Sequence, residues 1–363
     1  MTDAPNGPDT SSADPDLPRY RVGVPEIDGR IAALVEAAGP TTDPELVFQM
    51  VASAIRMQRE GVPRRELKIA NYTLKEMRYA FHVFAPFAER RKVSVFGSAR
   101  TEAGDAAYRS AHDFSARIAE LGWMVMTGAG PGIMEAGIEG AGRENAFGVN
   151  IQLPFEQIAN IAIAGDPKLI NFRYFFTRKL TFVKESDAFC LLPGGFGTMD
   201  EAFELLTLLQ TGKTYPAPVV LLDTPGSTYW RRWKDFVIEE LADTGMIRVD
   251  DLCLVHLTDD LDDAIGHITG FFANFDSMRY VGRRLVIRHH HRITDAQLGE
   301  LENEFADITV EGGFDRLEPS RAEISDDDRV DLERFGFAFD QFANARLRQL
   351  IDRLNQFAPP TPG

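Results

Sequence analysis

The sequence predicts an α/β protein: a doubly wound parallel sheet, preceded by helices and followed by a small α+β unit. Three observations carry that prediction. From Lys92 to about residue 272, short β-rich runs alternate with amphipathic helical segments. The runs KVSVF, WMVMT, FGVNIQ, DAFCLL, APVVLL and CLVHL have little polar interleaving, as befits strands covered on both faces. Three of them end in unusual glycine-bearing turns, and ligands of doubly wound sheets sit at the carboxyl ends of the strands.

Residues 1–19, MTDAPNGPDTSSADPDLPR, are rich in Pro, Asp and Ser and bury too little apolar surface to offset ordering, so a disordered tail is expected. Residues 20–91 read as a helical preface. Its first helix carries Ile27, Ile31, Leu34 and Val35 and stops at Gly39-Pro40. Its second opens with Asp43 as N-cap and Pro44 at the first helical position. Its third carries Leu67, Leu74, Met77, Phe81 and Phe84. The α/β domain follows at 92–272 and an α+β domain at 273–363. In the latter, RRLVIRHH reads as a strand, and Thr294 with Gln297 forms a capping box before a helix bearing Leu298, Leu301 and Phe305. Alternating Phe335, Phe337 and Phe339 and a last helix with Leu347, Leu350, Ile351 and Leu354 complete it.

With 363 residues, 44% apolar and 26% charged, the chain can build one sizeable core and smaller units. Neither export nor membrane spanning is signalled, and a cytoplasmic location is expected. A net charge of −16 with no Lys/Arg-rich block disfavours a nucleic-acid polymer as partner and leaves small molecules open. Cys190 and Cys253 each stand in an apolar run that reads as a buried strand; both are expected in the core, and two cysteines make no disulfide framework.

The first strand ends in VFGSAR, with Gly97, Ser98 and Arg100. The second ends in TGAGPGIMEAG, with Gly128, Gly130 and Gly132. The fourth ends in PGGFGTMDE, with Gly194, Gly195, Gly197 and Thr198. A tight turn opening a helix exposes backbone N–H groups where the helix dipole favours negative charge, so the guest these turns suit is a phosphate. One such turn alone is as well explained by positive φ or close packing; three that converge favour the phosphate. The dinucleotide fingerprint fails because its sixth position holds Ile133. GKT at 212–214 imitates a P-loop, yet Thr207 stands where that loop needs glycine and the segment follows a helix, so a helix C-cap and turn is expected.

Other residues read more plainly. Glu135 either touches a ligand or favours a helix dipole, and Lys179 and Arg173 either join the binding face or are solvated. Alternate residues of a strand face opposite ways, so His289-His290-His291 reads as exposed strand-end histidines rather than a metal site. Asp326-Asp327-Asp328 reads as a solvated turn. Neither metal nor cofactor is expected.

The motif P-G-G-x-G-T-x-x-E, unbroken from Pro193 to Glu201, stands with Arg178-Lys179 in NFRYFFTRK and with the loops GAGPGIMEA and VFGSAR. Together they resemble the LOG, or Lonely guy, family, once mislabelled lysine decarboxylases, over roughly residues 92–260. The resemblance implies a Rossmann-like domain and phosphoribohydrolase chemistry, in which a nucleoside 5′-monophosphate yields free base and ribose 5-phosphate. It implies Arg178 and Glu201 as the catalytic pair, the glycine turns and Lys179 as substrate-binding, and an active site at a dimer interface. Phe175 and Phe176 stand where shorter members have Met-His, as in the longer branch, which leaves the preferred base open. A carrier of a nucleotide or pterin cofactor, using the same turns without a reactive carboxylate, is the alternative. Structural readings stand beside these: Thr198-x-x-Glu201 is also a capping box, and the plainer alternative for Arg178 is a surface helix arginine paired with Glu185 or Asp187.

Overall fold

A computed structural model describes residues 20–152 and 162–359; the expected tail at 1–19 lies outside the described residues. The chain clusters into two compact units, one up to Lys75 and one from Glu76 onward.

The first unit holds α1 (Pro25–Ala37), α2 (Pro44–Arg59) and the start of α3 (Arg64–Phe84). Asp43 caps α2 as expected, its Oδ1 accepting from Leu46 N at 3.0 Å with Pro44 following. The entry to α1 is held differently: buried Asp28 takes the N–H groups of Val22, Gly23 and Val24 at 2.8, 3.0 and 3.1 Å. Ile31, Val35, Phe48 and Ala52 form this unit's core.

The second unit is built on a seven-stranded, all-parallel sheet: β1 (Lys92–Phe96), β2 (Met124–Thr127), β3 (Ala146–Ile151), β4 (Leu169–Phe172), β5 (Ala188–Leu191), β6 (Val219–Leu222) and β7 (His256–Thr258). Their spatial order is β4-β3-β2-β1-β5-β6-β7. The two-residue period of a strand sorts its side chains. Val93, Val125, Cys190 and Val220 go to one face, under α4 (Ala106–Glu120), α5 (Ile133–Ala141) and α9 (Leu261–Gly270). Phe96, Met126, Leu191 and Leu221 go to the other, under α6 (Phe175–Glu185), α7 (Phe196–Gln210) and α8 (Tyr229–Phe236), with Ala80 and Phe84 of α3. The chain winds outward from β1 to β4, then returns to place β5 on β1's free side, so the strand order reverses between β1 and β5.

Two strand expectations need correction. Among the described residues seven strands stand where six were expected: β4, LINF, is four residues long and only half buried, too short to show a period, so PGGFGTMDE follows the fifth strand rather than the fourth. CLVHL is a strand only from His256. Asp251 caps Arg248 N at 2.9 Å and winds Val249–Leu254 into a 3₁₀ helix. Cys253 is therefore half-buried on that helix, its thiol donating to the Ala345 carbonyl at 3.4 Å, whereas Cys190 is wholly buried in β5.

The C-terminal segment forms an antiparallel sheet from β8 (Phe275–Val281), β9 (Arg284–His289), β10 (Asp315–Arg316) and β11 (Glu333–Ala338), in the order β10-β11-β9-β8. It carries α10 (Asp295–Glu304), with the Thr294/Gln297 capping box, α11 (Arg321–Asp326) and α12 (Asn344–Asn355). Leu285, Ile287, Phe335, Phe337, Leu347 and Leu350 share its core. The histidine run divides. His290 and His291 are exposed, but His289 is fully buried, because β9 lies between β8 and β11; its Nδ1 donates to the His291 carbonyl at 2.9 Å, and burial lowers its pKa. Asp328 is more than part of a solvated turn: it accepts from Arg288 Nη2 at 2.8 Å, beside buried Glu323, which takes Arg288 and Arg334. Among the described residues no helix is long and apolar enough to cross a membrane, and no group of three or more His, Cys, Asp or Glu is placed to hold a metal ion.

Candidate active site

The turns after β1, β2 and β5 meet at the carboxyl edge of the sheet, beside the reversal of strand order. Backbone hydrogen bonds lock them: Ser98 N donates to the Pro193 carbonyl and Ile133 N to the Ser98 carbonyl, each at 3.1 Å. Gly132 has φ +71°, and a Cβ there would run into the Ser98 carbonyl, so only glycine lets the second turn close on the first. Gly97 packs on Ile133, which is fully buried, and Gly194 lies against Thr198 and Ser98 N. Gly195 and Gly197 differ: a Cβ on either would meet nothing within 4 Å. Packing does not demand them, and the space beside the first turn of α7 is open. Arg100 contributes its backbone N–H, 3.1 Å from Ser98 Oγ, while its side chain is exposed.

Helix α7 begins at Phe196 with Gly195 as N-cap and no side-chain cap. Thr198 therefore lies inside the first turn, and the expected Thr198/Glu201 capping box does not form: the glycines start the helix before the threonine is reached. That leaves Glu201 without a capping role. Burial pushes its carboxyl above the usual range, against the pull of Lys179 and Arg178.

Across from it, α6 buries Thr177, Thr181 and Phe182 and presents Arg178 and Lys179. Arg178 Nε donates to the Val149 carbonyl at 3.0 Å, and the guanidinium lies 5.4 Å from the Phe182 ring centroid. Burial lowers its pKa while Glu201 raises it. It is not the surface partner of Glu185 or Asp187; those carboxylates meet Lys184 at 2.5 Å and Arg91 at 3.4 Å. Lys179 Nζ lies 2.9 Å from Asp200 and 2.5 Å from Glu204. The pair from α6 thus faces Asp200, Glu201 and Glu204 of α7. Arg173 gives its N–H to Glu76 at 2.9 Å, and Glu135 is half-exposed in the first turn of α5.

Sequence reasoning missed Asp200, Glu204 and Tyr229. The first two are four apart on one helix face, a signal that was available. Tyr229, whose hydroxyl donates to the Gly194 carbonyl and ties the β6–α8 connection to the glycine turn, left no local signal. An open groove of about 840 Å³ borders the site, lined by Lys179, Asp200 and Glu204 and by Phe196, Met199 and Phe203.

Residues 126–268 match the family model described as possible lysine decarboxylase. Over that stretch the chain resembles the LOG family. A cytokinin riboside 5′-monophosphate phosphoribohydrolase of Arabidopsis thaliana is 40% identical over 70 residues, 19% of this chain and 31% of that protein. A probable cytokinin riboside 5′-monophosphate phosphoribohydrolase of Oryza sativa subsp. japonica is 40% identical over 65 residues, 18% of this chain and 28% of that protein. The chain spans less than a third of the length of these curated relatives. Among solved structures, the molybdenum cofactor carrier protein of Chlamydomonas reinhardtii superposes on half of this chain (50%, and 97% of its own) at 22% identity and a TM-score of 0.36, too distant to bear on what this chain does.

Proposed function

We propose that the protein hydrolyses the N-glycosidic bond of a purine nucleoside 5′-monophosphate, releasing the free base and ribose 5-phosphate, with Arg178 and Glu201 as the catalytic pair. The observation that carries this reading is a carboxyl group pushed up by burial, one helical turn from the open glycines of a phosphate-type turn and faced by two cations. The N–H groups at the start of α7 receive the phosphate, which sets the ribose beside Glu201. As the bond from C1′ to the base nitrogen breaks, its electron pair leaves with the base and positive charge grows on the sugar. The Glu201 carboxylate stabilises that charge and takes a proton from the attacking water, whose oxygen bonds C1′; a raised pKa brings the group nearer the working pH. The base acquires a proton as it departs. Arg178 orients the Glu201 carboxylate or a phosphate oxygen.

The same reading makes the working form a dimer or higher homo-oligomer. Phe175, Phe176 and Leu180 on α6 and Phe196 on α7 are exposed, Phe196 to 97%, and an apolar patch of that kind beside a groove is what a second copy would cover.

The test is incubation with a panel of nucleoside monophosphates and the matching nucleosides, separating free bases from nucleotides. Purine base with equimolar ribose 5-phosphate is expected, with nucleosides far poorer substrates, because contacts to the phosphate are spent on orienting the reacting end. Tight nucleotide binding with no base released across the panel would favour a carrier.

A further inference from the structure

We infer that Glu76 is a positioning residue for this site, holding the amino end of the helix that presents Arg178 and Lys179. The inference rests on the proposed reading for its consequence in catalysis, though not for the contact itself. Glu76 lies on α3, outside the expected α/β domain, and 97 residues before Arg173. One of its carboxylate oxygens accepts from Arg173 N at 2.9 Å, and the other from Thr177 Oγ1 at 2.6 Å. Helix α6 has no side-chain cap of its own, since Tyr174 stands at its N-cap position. Glu76 thus anchors, from a distant helix, the residue before the N-cap and a side chain of the first turn, and sets a negative charge at the positive end of the dipole.

Thr177 is fully buried, and its hydroxyl bonds Glu76 and the Tyr174 carbonyl, the latter at 2.9 Å. At the other end of α6, Lys184 lies 5.1 Å from the Phe81 ring centroid, so α3 touches α6 at both ends. Arg178 and Lys179 directly follow Thr177. A first turn that frays or rotates carries Arg178 away from the Val149 carbonyl and Lys179 away from Asp200 and Glu204. Misplacing a catalytic group by about 1 Å costs on the order of a hundredfold in rate, whereas the phosphate turns on β1, β2 and β5 do not involve this contact. The expected signature is a loss in kcat with KM nearly kept.

The experiment uses the full chain with Glu76→Ala, Thr177→Val and the double variant. It measures base release from the nucleotide the wild type turns over best, thermal midpoint, and amide hydrogen exchange across 173–179. Glu76→Ala is expected to lower kcat about tenfold with KM within about threefold, and to speed exchange of the first turn of α6 about tenfold. The double variant should lose less than the product of the two single losses, because the Glu76–Thr177 bond is common to both. If Glu76→Ala fails to fold, Glu76→Gln replaces it, with the same effects at about threefold, because glutamine keeps one acceptor but not the charge. Wild-type kcat at temperatures below the midpoint would reduce Glu76 to a stability residue and overturn the inference, as would unchanged exchange at 173–179. Should the wild type release no base at all, the functional reading falls by itself, and exchange still decides whether Glu76 holds α6.

Discussion

A Cβ on Gly128 would stand 2.7 Å from Nη2 of Arg178 and equally close to Sδ of Met134. The end of β2 therefore sets where the guanidinium lies. The Met134 thioether can swing aside, but Arg178 is tethered at Nε to the Val149 carbonyl and has less room. Gly128 is not in the left-handed region, so alanine adds bulk without backbone strain. Gly128→Ala should fold with a midpoint within a few degrees of wild type and lose at least about tenfold in base release. Activity equal to wild type would show that the reaction does not depend on where that guanidinium sits.

Lys179 stands between the two carboxylates that flank Glu201, and its charge is the largest influence keeping the Glu201 pKa from rising further. Removing it should raise that pKa again. The sign follows: if Glu201 acts ionised, the acidic limb of the kcat–pH profile moves to higher pH in Lys179→Met. A pH–rate series on both proteins checks it, and an unmoved or lowered limb would mean that the titrating group is not Glu201.

What could be read in the chain, and what could not, divides along physical lines. The strands of the central sheet announce themselves because burial on both faces forces continuous apolar runs, and the three turns because close approach, as between Gly132 and Ser98, admits only glycine. Local periodicity cannot show β4, which is four residues and half exposed, nor the 3₁₀ helix that the Asp251 cap imposes on an apolar stretch. The Thr198/Glu201 pattern fitted a capping box, but the preceding glycines start the helix first. His289 looked exposed at its strand end because nothing in RRLVIRHH says that strands flank it on both sides. Tyr229 on Gly194 and Glu76 on α6 join residues 35 and 97 positions apart, which no window of sequence contains.

The C-terminal segment is bolted to the sheet through a histidine that must stay neutral. Arg348 on α12, 2% exposed, donates to His267 Nε2 at 3.1 Å and to the Ala217 carbonyl at 3.3 Å. His267 also stacks on His256, 4.2 Å between centroids. Burial first, then the Arg348 charge, depresses its pKa from 6.5 to about 3. Because the native state resists a proton that the unfolded chain accepts, this neutral histidine contributes its stability above the unfolded value. The contribution is lost as pH falls from 6.5 toward 3. The thermal midpoint should therefore decline across that window, and His267→Gln, which keeps an acceptor and cannot titrate, should flatten the decline. Parallel curves for the two proteins would show that Arg348 does not meet a neutral ring.

Glu201→Gln separates catalysis from structure more sharply than the sequence allowed, because the capping role that competed for this residue does not exist in the fold. No cap is lost on substitution, and the charge removed is one that burial already disfavours. For a carboxyl whose folded pKa is raised, stability is fully present below the unfolded value and is lost as pH rises through the folded one. Glutamine cannot ionise and escapes that loss. The variant should therefore melt at or above the wild-type temperature near pH 8, and the difference should close toward about pH 4. Turnover should move the opposite way, falling about a hundredfold or more, the scale on which a general acid or base contributes. Nucleotide affinity should largely survive, since the proposed reading has the phosphate held at the glycine turns. Thermal midpoint, affinity and base release on one preparation decide the matter. A variant that is less stable at pH 8 would make Glu201 a structural carboxylate. One that turns over like wild type would leave the reaction without its base. Only the combination of a steadier fold and a silent site fits a group whose placement costs stability for the sake of chemistry.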